Sequence, residues 1–133
     1  MPDFFWLFIG GGLGTLCRYT LGAWGQSQLG QTLPYGTLLV NLLGCLLMGV
    51  LAGWADARYA GLLSAPPVFR LFFITGFLGG FTTFSSYELE VALLVSGNEA
   101  VKALLYCGLS TGLGLLLVLA GFQLGRIVVA FFP

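Results

Sequence analysis

The sequence predicts an all-α integral membrane protein of four transmembrane helices, the third broken near its middle. Three observations predict it: a composition almost without charge, four apolar runs that take up nearly the whole chain, and a glycine- and hydroxyl-rich string inside the third run. Of 133 residues, 58% are hydrophobic and 8% charged, against about a quarter charged in soluble domains. A hydrocarbon core of about 30 Å takes roughly 20 apolar residues per helix. Four such spans leave no residues for a soluble catalytic or nucleic-acid-binding domain. The formal net charge of zero offers no basic patch for phosphates, so no nucleic-acid partner is expected. The chain reads as one membrane domain, 1–133, with lipid as its surroundings.

The first span runs from about 4 to 24, interrupted only by Arg18, and the polar stretch Gln26 to Thr32 reads as the loop after it. Met1 to Asp3 carry no basic region, and the apolar stretch behind them is too long for a cleaved signal peptide, so it should stay as a span. The second span, about 35–55, starts behind the helix-entry residue Pro34 and exits at Asp56 and Arg58. Pro66 and Pro67 close the next loop, and the third span, about 68–95, ends at the turn-like Ser96, Gly97 and Asn98. The fourth, about 100–131, is long enough to cross with tilt. Cys17, Cys45 and Cys107 fall inside apolar runs without metal-ligand spacing and read as small packing residues.

The middle of the third span reads Gly76, Phe77, Leu78, Gly79, Gly80, Phe81, Thr82, Thr83, Phe84, Ser85, Ser86, Tyr87. Paired glycines followed by four hydroxyl residues weaken a helical backbone, and a non-helical turn at membrane depth is tolerated only against protein or a wet cavity. The residues alone leave a second reading open, in which the glycines allow close helix contact and the hydroxyls bond back to carbonyls one turn earlier. Glycines also pair at four-residue spacing at 10 and 14, 49 and 53, 76 and 80, 108 and 112, and 121 and 125. These predict close-packing faces within and between copies, hence an oligomer.

With an even number of spans, both termini share a side with the loop between the second and third, which places Arg58, Arg70 and Arg126 together. Lys102 lies opposite, and Arg18 counts weakly with it. Because short-loop Lys and Arg set orientation, so small a bias permits insertion both ways up. Two oppositely inserted copies could then pair about a two-fold axis in the membrane plane, as an antiparallel dual-topology homodimer.

Catalysis is not expected, since the chain has no histidine and no hydroxyl or thiol nucleophile with a base beside it. It does carry hydrogen-bond donors at membrane depth: Thr37 and Asn41 one turn apart, the hydroxyls Thr82, Thr83, Ser85 and Ser86, and Tyr106 with Ser110 one turn apart. A polar but uncharged lining suits a small dehydrated anion, which it can bind without trapping. Phe84 and Tyr87, three residues apart, could add positive ring edges or could be ordinary packing residues. Glu88 reads as a solvated surface charge, while Glu90 stands between that reading and a functional one. Arg18 reads as structural, snorkelling or capping carbonyls.

Three strings carry a resemblance: Gly14 with Arg18; Gly36-Thr37-Leu38-Leu39-Val40-Asn41 with Gly44; and Gly76 through Ser85. With them the chain resembles the Fluc (CrcB) fluoride ion channel family across all four spans. The resemblance implies passive, fluoride-selective export from a bacterial cytoplasm through two antiparallel pores of a dual-topology homodimer in the inner membrane. It implies a structural sodium ion on the two-fold axis, held by backbone carbonyls that correspond to Gly79 and Thr82. It also assigns Asn41, Phe84, Tyr106 and Ser110 to the pore lining, with Thr37 and Glu90 as polar positions of the pathway; Thr83 and Ser85 belong to the same hydroxyl string. The chain departs from the family pattern at Tyr87, which replaces a second phenylalanine, and at Gly114, where the polar row of the fourth span lacks a hydroxyl.

The main alternative is a proton-coupled exporter resembling the small multidrug resistance transporters. Their acid sits in the first helix, and no acidic residue lies between Phe4 and Trp24. A non-transporting assembly subunit would leave the intramembrane donors without a purpose.

Overall fold

The computed structural model describes residues 2–131; Met1, Phe132 and Pro133 lie outside it. Helix α1 spans Asp3–Leu29, with Asp3 in its first turn, where a carboxylate complements the helix dipole. Its polar last turn, Gln26 to Leu29, is helix and not loop. Gln26 Nε2 donates to the carbonyls of Gly30 and Leu33 at 2.6 and 3.0 Å, and its Oε1 accepts the Gly36 N–H at 2.9 Å. One amide thus ties the connection to the next helix, and Gly30, at φ 94°, makes the turn. Helix α2 spans Tyr35–Tyr59 behind Pro34.

The third span starts at Pro67 with helix α3 (67–81), whose middle, Arg70–Leu78, is wound as π-helix. The chain then goes extended at Thr82 and Thr83, and helix α4 resumes over Phe84–Ser96. Helix α5 (Ala100–Phe131) contains a second π-wound stretch, Leu109–Leu113. Three segments, Tyr35–Tyr59, Pro67–Ser96 and Ala100–Phe131, are long and apolar enough to cross a membrane. Helix α1 has the length, 27 residues, but its glycines and Arg18 dilute its apolar character.

Helix α2 lies along α5, and α1 along α3. Both seams are built from glycine. A methyl group at Gly49 or Gly53 would overlap the carbonyls of Val118 and Phe122, and one at Gly121 or Gly125 would overlap those of Leu46 and Val50. Gly10 and Gly14 meet the carbonyls of Phe72 and Phe77 in the same way, and a methyl at Gly80 would come within 2.5 Å of the Gly11 carbonyl. Such contacts let backbones approach to van der Waals distance, the main attraction between helices when lipid is as apolar as the side chains. The interior is accordingly glycine-rich, while Phe4, Phe8, Leu16, Val101, Leu104 and Leu116 point outward. Gly108 and Gly112 differ from the other pairs, because among the described residues no atom beyond the adjoining helix backbone lies within 4 Å of an added methyl at either.

Candidate functional site

At the break in the third span the Thr82 N–H still donates to the Leu78 carbonyl at 3.0 Å, and it is Thr83 whose N–H and carbonyl leave helical hydrogen bonding at membrane depth, where an unpaired backbone group costs several kcal/mol. Asn41 of α2 answers both halves of that demand at one residue. Its Nδ2 donates to the Thr83 carbonyl at 2.9 Å, and its Oδ1 accepts the Thr83 N–H at 2.8 Å. The amide therefore pairs with Thr83 as a neighbouring strand would, which is why an extended pair of residues is stable there. Thr83 in turn caps α4, its Oγ1 accepting the Ser86 N–H at 3.3 Å and donating to Ser86 Oγ at 3.0 Å. Thr82 Oγ1 donates to the Leu78 carbonyl at 2.9 Å, one turn back. The two sequence readings of the hydroxyl string both apply, each to a different threonine. The Thr82 methyl sits where a side chain at Gly44 would be, so Gly44 lets the break dock against α2. Arg18 Nη1 reaches the Thr82 carbonyl at 3.4 Å.

Beside the break, a groove of about 300 Å³ is lined by residues of α2, the break, α4 and α5, among them Asn41, Cys45, Thr83, Phe84, Tyr87, Ser110 and Thr111. Phe84 is 74% exposed and Tyr87 buried, their ring centroids 5.9 Å apart, and Tyr87 continues to Tyr106 at 5.2 Å. Three rings thus run from the open surface into the bundle. Ser110 Oγ is buried with no hydrogen-bond partner among the described residues. In a regular helix Thr111 would turn away from the face shared by Tyr106 and Ser110. The wider turn of Leu109–Leu113 brings Ser110 and Thr111 to the groove together.

A second polar cluster joins three helices. Glu90 of α4 accepts a hydrogen bond from Thr37 Oγ1 of α2 at 2.6 Å on one carboxylate oxygen and from Tyr106 OH of α5 at 2.6 Å on the other. Such lengths are those of hydroxyl-to-carboxylate bonds, stronger than neutral ones. Glu90 lies between two further cavities, one of about 430 Å³ shared with Arg18, Tyr19, Thr37 and Ser86, the other of about 380 Å³ shared with Gln31, Thr32, Glu99 and Lys102. In the latter, Lys102 Nζ donates to Glu99 at 2.9 Å.

The structure therefore brings Asn41, Thr83, Phe84, Tyr87 and Ser110 to one groove and Thr37, Glu90 and Tyr106 to one cluster. Ser85 stands exposed on α4 outside the groove lining, and Ser86 is the serine that engages the break. Gly79 is in the last turn of α3. Sequence reasoning missed Thr111, Met48 and Cys45 as lining residues; only the first depends on a π turn, for which the sequence carries no spacing signal.

Fold and groove together define a multi-pass helical membrane protein with an uncharged, aromatic-edged recess at a broken span. The chain belongs to the CrcB family, for residues 5–122 match the family described as CrcB-like protein, Camphor Resistance (CrcB). It is similar to proteins named fluoride-specific ion channel FluC from several bacteria. Identity is 48% over 121 residues with that of Thermus thermophilus, covering 91% of each chain. It is 39% over 127 residues with that of Acidobacterium capsulatum, covering 96% of this chain and 98% of the other. With that of Rhizobium etli it is 40% over 121 residues, covering 91% of this chain and 94% of the other.

Proposed function

We propose that this chain is a fluoride-selective channel giving passive export, and that the groove at the break lines its pathway. The observation that carries the reading is the groove itself, where the hydroxyl of Ser110, the amide of Asn41 and the ring edges of Phe84 and Tyr87 converge without a fixed cation. An ion stripped of water needs its lost hydrogen bonds replaced, and neutral donors replace them while still allowing release. Relatives named for fluoride-specific conduction support the choice of ion. No catalytic chemistry is assigned, because the family is one of channels.

The groove is open on one side, with Phe84 largely exposed, and supports a pathway completed by a second copy. An antiparallel, dual-topology homodimer with two pores fits the near-balanced basic residues of the chain. Two oxygens are suited to a structural sodium ion between copies. The amide that a continuous helix would aim at the Gly79 carbonyl is that of Thr83, which goes instead to Asn41, and the Thr82 carbonyl lies in the extended break. Carbonyl oxygens freed in this way fit a hard cation, although Arg18 already donates to Thr82. The ion would tie the two breaks together.

Glu90 accepts the hydrogen bonds of both Thr37 and Tyr106, so neither hydroxyl is free to donate elsewhere. An anion at this cluster gains a donor only by drawing it off the carboxylate, so the cluster sets how long the ion rests there.

The test is efflux from liposomes loaded with fluoride or chloride, with voltage set by a potassium ionophore. Fluoride loss without chloride loss is expected, at a rate independent of a proton gradient. Efflux that requires a proton gradient would favour the exporter, and no flux of either halide would remove the transport reading.

A further inference from the structure

We propose that the thiol of Cys45 lines the anion path at the level where α5 has no side chain to offer. The inference rests on the groove being that path.

On α5 the polar residues Tyr106 and Ser110 are four apart, and the next position in that row, Gly114, is a buried glycine. The space above it is taken from the opposite wall. A methyl carbon built on Gly114 would lie 3.3 Å from Cys45 Sγ, closer than ordinary van der Waals contact. Gly114 is therefore what lets the thiol stand there, and a hydroxyl side chain at 114 would push it away. Cys45 follows Asn41 by one turn of α2, so both face the groove, together with Ser110 and its unpartnered hydroxyl. A thiol carries a weak donor and no charge, so it supplies one more S–H to a passing anion without holding it. The other cysteines differ: Cys107 packs with the Leu38, Tyr87 and Tyr106 cluster, and Cys17 is exposed on α1.

Methyl methanethiosulfonate tests this in liposomes. The Cys45 thiol gives its proton to buffer and the thiolate attacks the reagent's sulfenyl sulfur, forming Cys–S–S–CH₃; the S–S bond to the sulfonyl group breaks and methanesulfinate leaves with the electron pair. Modification of Cys45, verified by mass, should slow fluoride efflux by about tenfold or more in the wild type and in a Cys17→Ser/Cys107→Ala variant, since an added S–CH₃ group fills a narrow groove. In Cys45→Ser the reagent should produce no further slowing, whatever that variant's own rate. The proposal is overturned if Cys45 is modified without slowing, if it resists the reagent in conducting protein, or if Cys45→Ser is inhibited like wild type. Each of these leaves fluoride efflux itself intact, whereas absent efflux from untreated wild type would instead sink the channel reading.

Discussion

The seam between α2 and α5 and the break beside Asn41 both lie against α2, yet they satisfy backbone groups by opposite means. Along the seam every carbonyl keeps its helical bond, and glycine at 49, 53, 121 and 125 lets intact helices press together. At the break the chain goes extended over two residues, and a side-chain amide takes over both backbone groups of Thr83. The seam tolerates no added atom but asks for no chemistry. The break asks for one particular chemistry and leaves a polar recess beside it. Rigidity and function are thereby separated along α2, the groove lining ending at Met48 and the glycine seam starting at Gly49.

Substitutions on the two sides should fail differently, and the largest effect belongs to the seam. Gly53→Leu places side-chain atoms inside the Phe122 backbone, costing about 3 kcal/mol or more. Monodisperse protein on size-exclusion chromatography should be lost, and a normal elution profile would refute the packing account.

Asn41→Asp comes next, since it keeps an acceptor for the Thr83 N–H but puts a carboxylate oxygen against the Thr83 carbonyl. Fluoride flux should fall by about a hundredfold or more while the elution volume stays that of wild type. Phe84→Ile removes an exposed ring edge that no packing requires, so flux should again collapse with the fold intact. Wild-type efflux in either variant would detach the groove from conduction.

Glu90→Gln should have a smaller effect, roughly tenfold on efflux, because an amide still accepts from one hydroxyl. Gly108→Ala should change neither flux nor elution, as no neighbouring element among the described residues meets the added methyl. A shift to a smaller species there would instead mark that face as one covered by a second copy.

How much of this was legible in the sequence depends on whether the contact is local. The spans followed from composition, and Gly79, Gly80 and the hydroxyls after them marked where a break could fall, since backbone preference is a local property. By themselves those residues suit a continuous helix equally well, and only the family resemblance favours the break. The end of α1 was not legible, because Gln26 acts through partners up to ten residues away. Asn41 and Thr83 were each visible as polar residues, but their pairing spans 42 positions, and that of Thr37 with Glu90 spans 53. Spacing rules reach one helical turn and carry no information at that range. The same limit separates Ser85 from Ser86: both follow the break, and only the cap geometry of Thr83 selects the second.

The account's central claim is that neutral donors and ring edges at the break pass fluoride and exclude other halides. The most direct measurement is the reversal potential across a planar bilayer holding the purified protein, with a fluoride gradient and equal chloride on both sides. Current should reverse at the fluoride equilibrium potential and stay there when the chloride is replaced by an impermeant anion. A reversal potential that follows chloride, or no current in either solution, would contradict it.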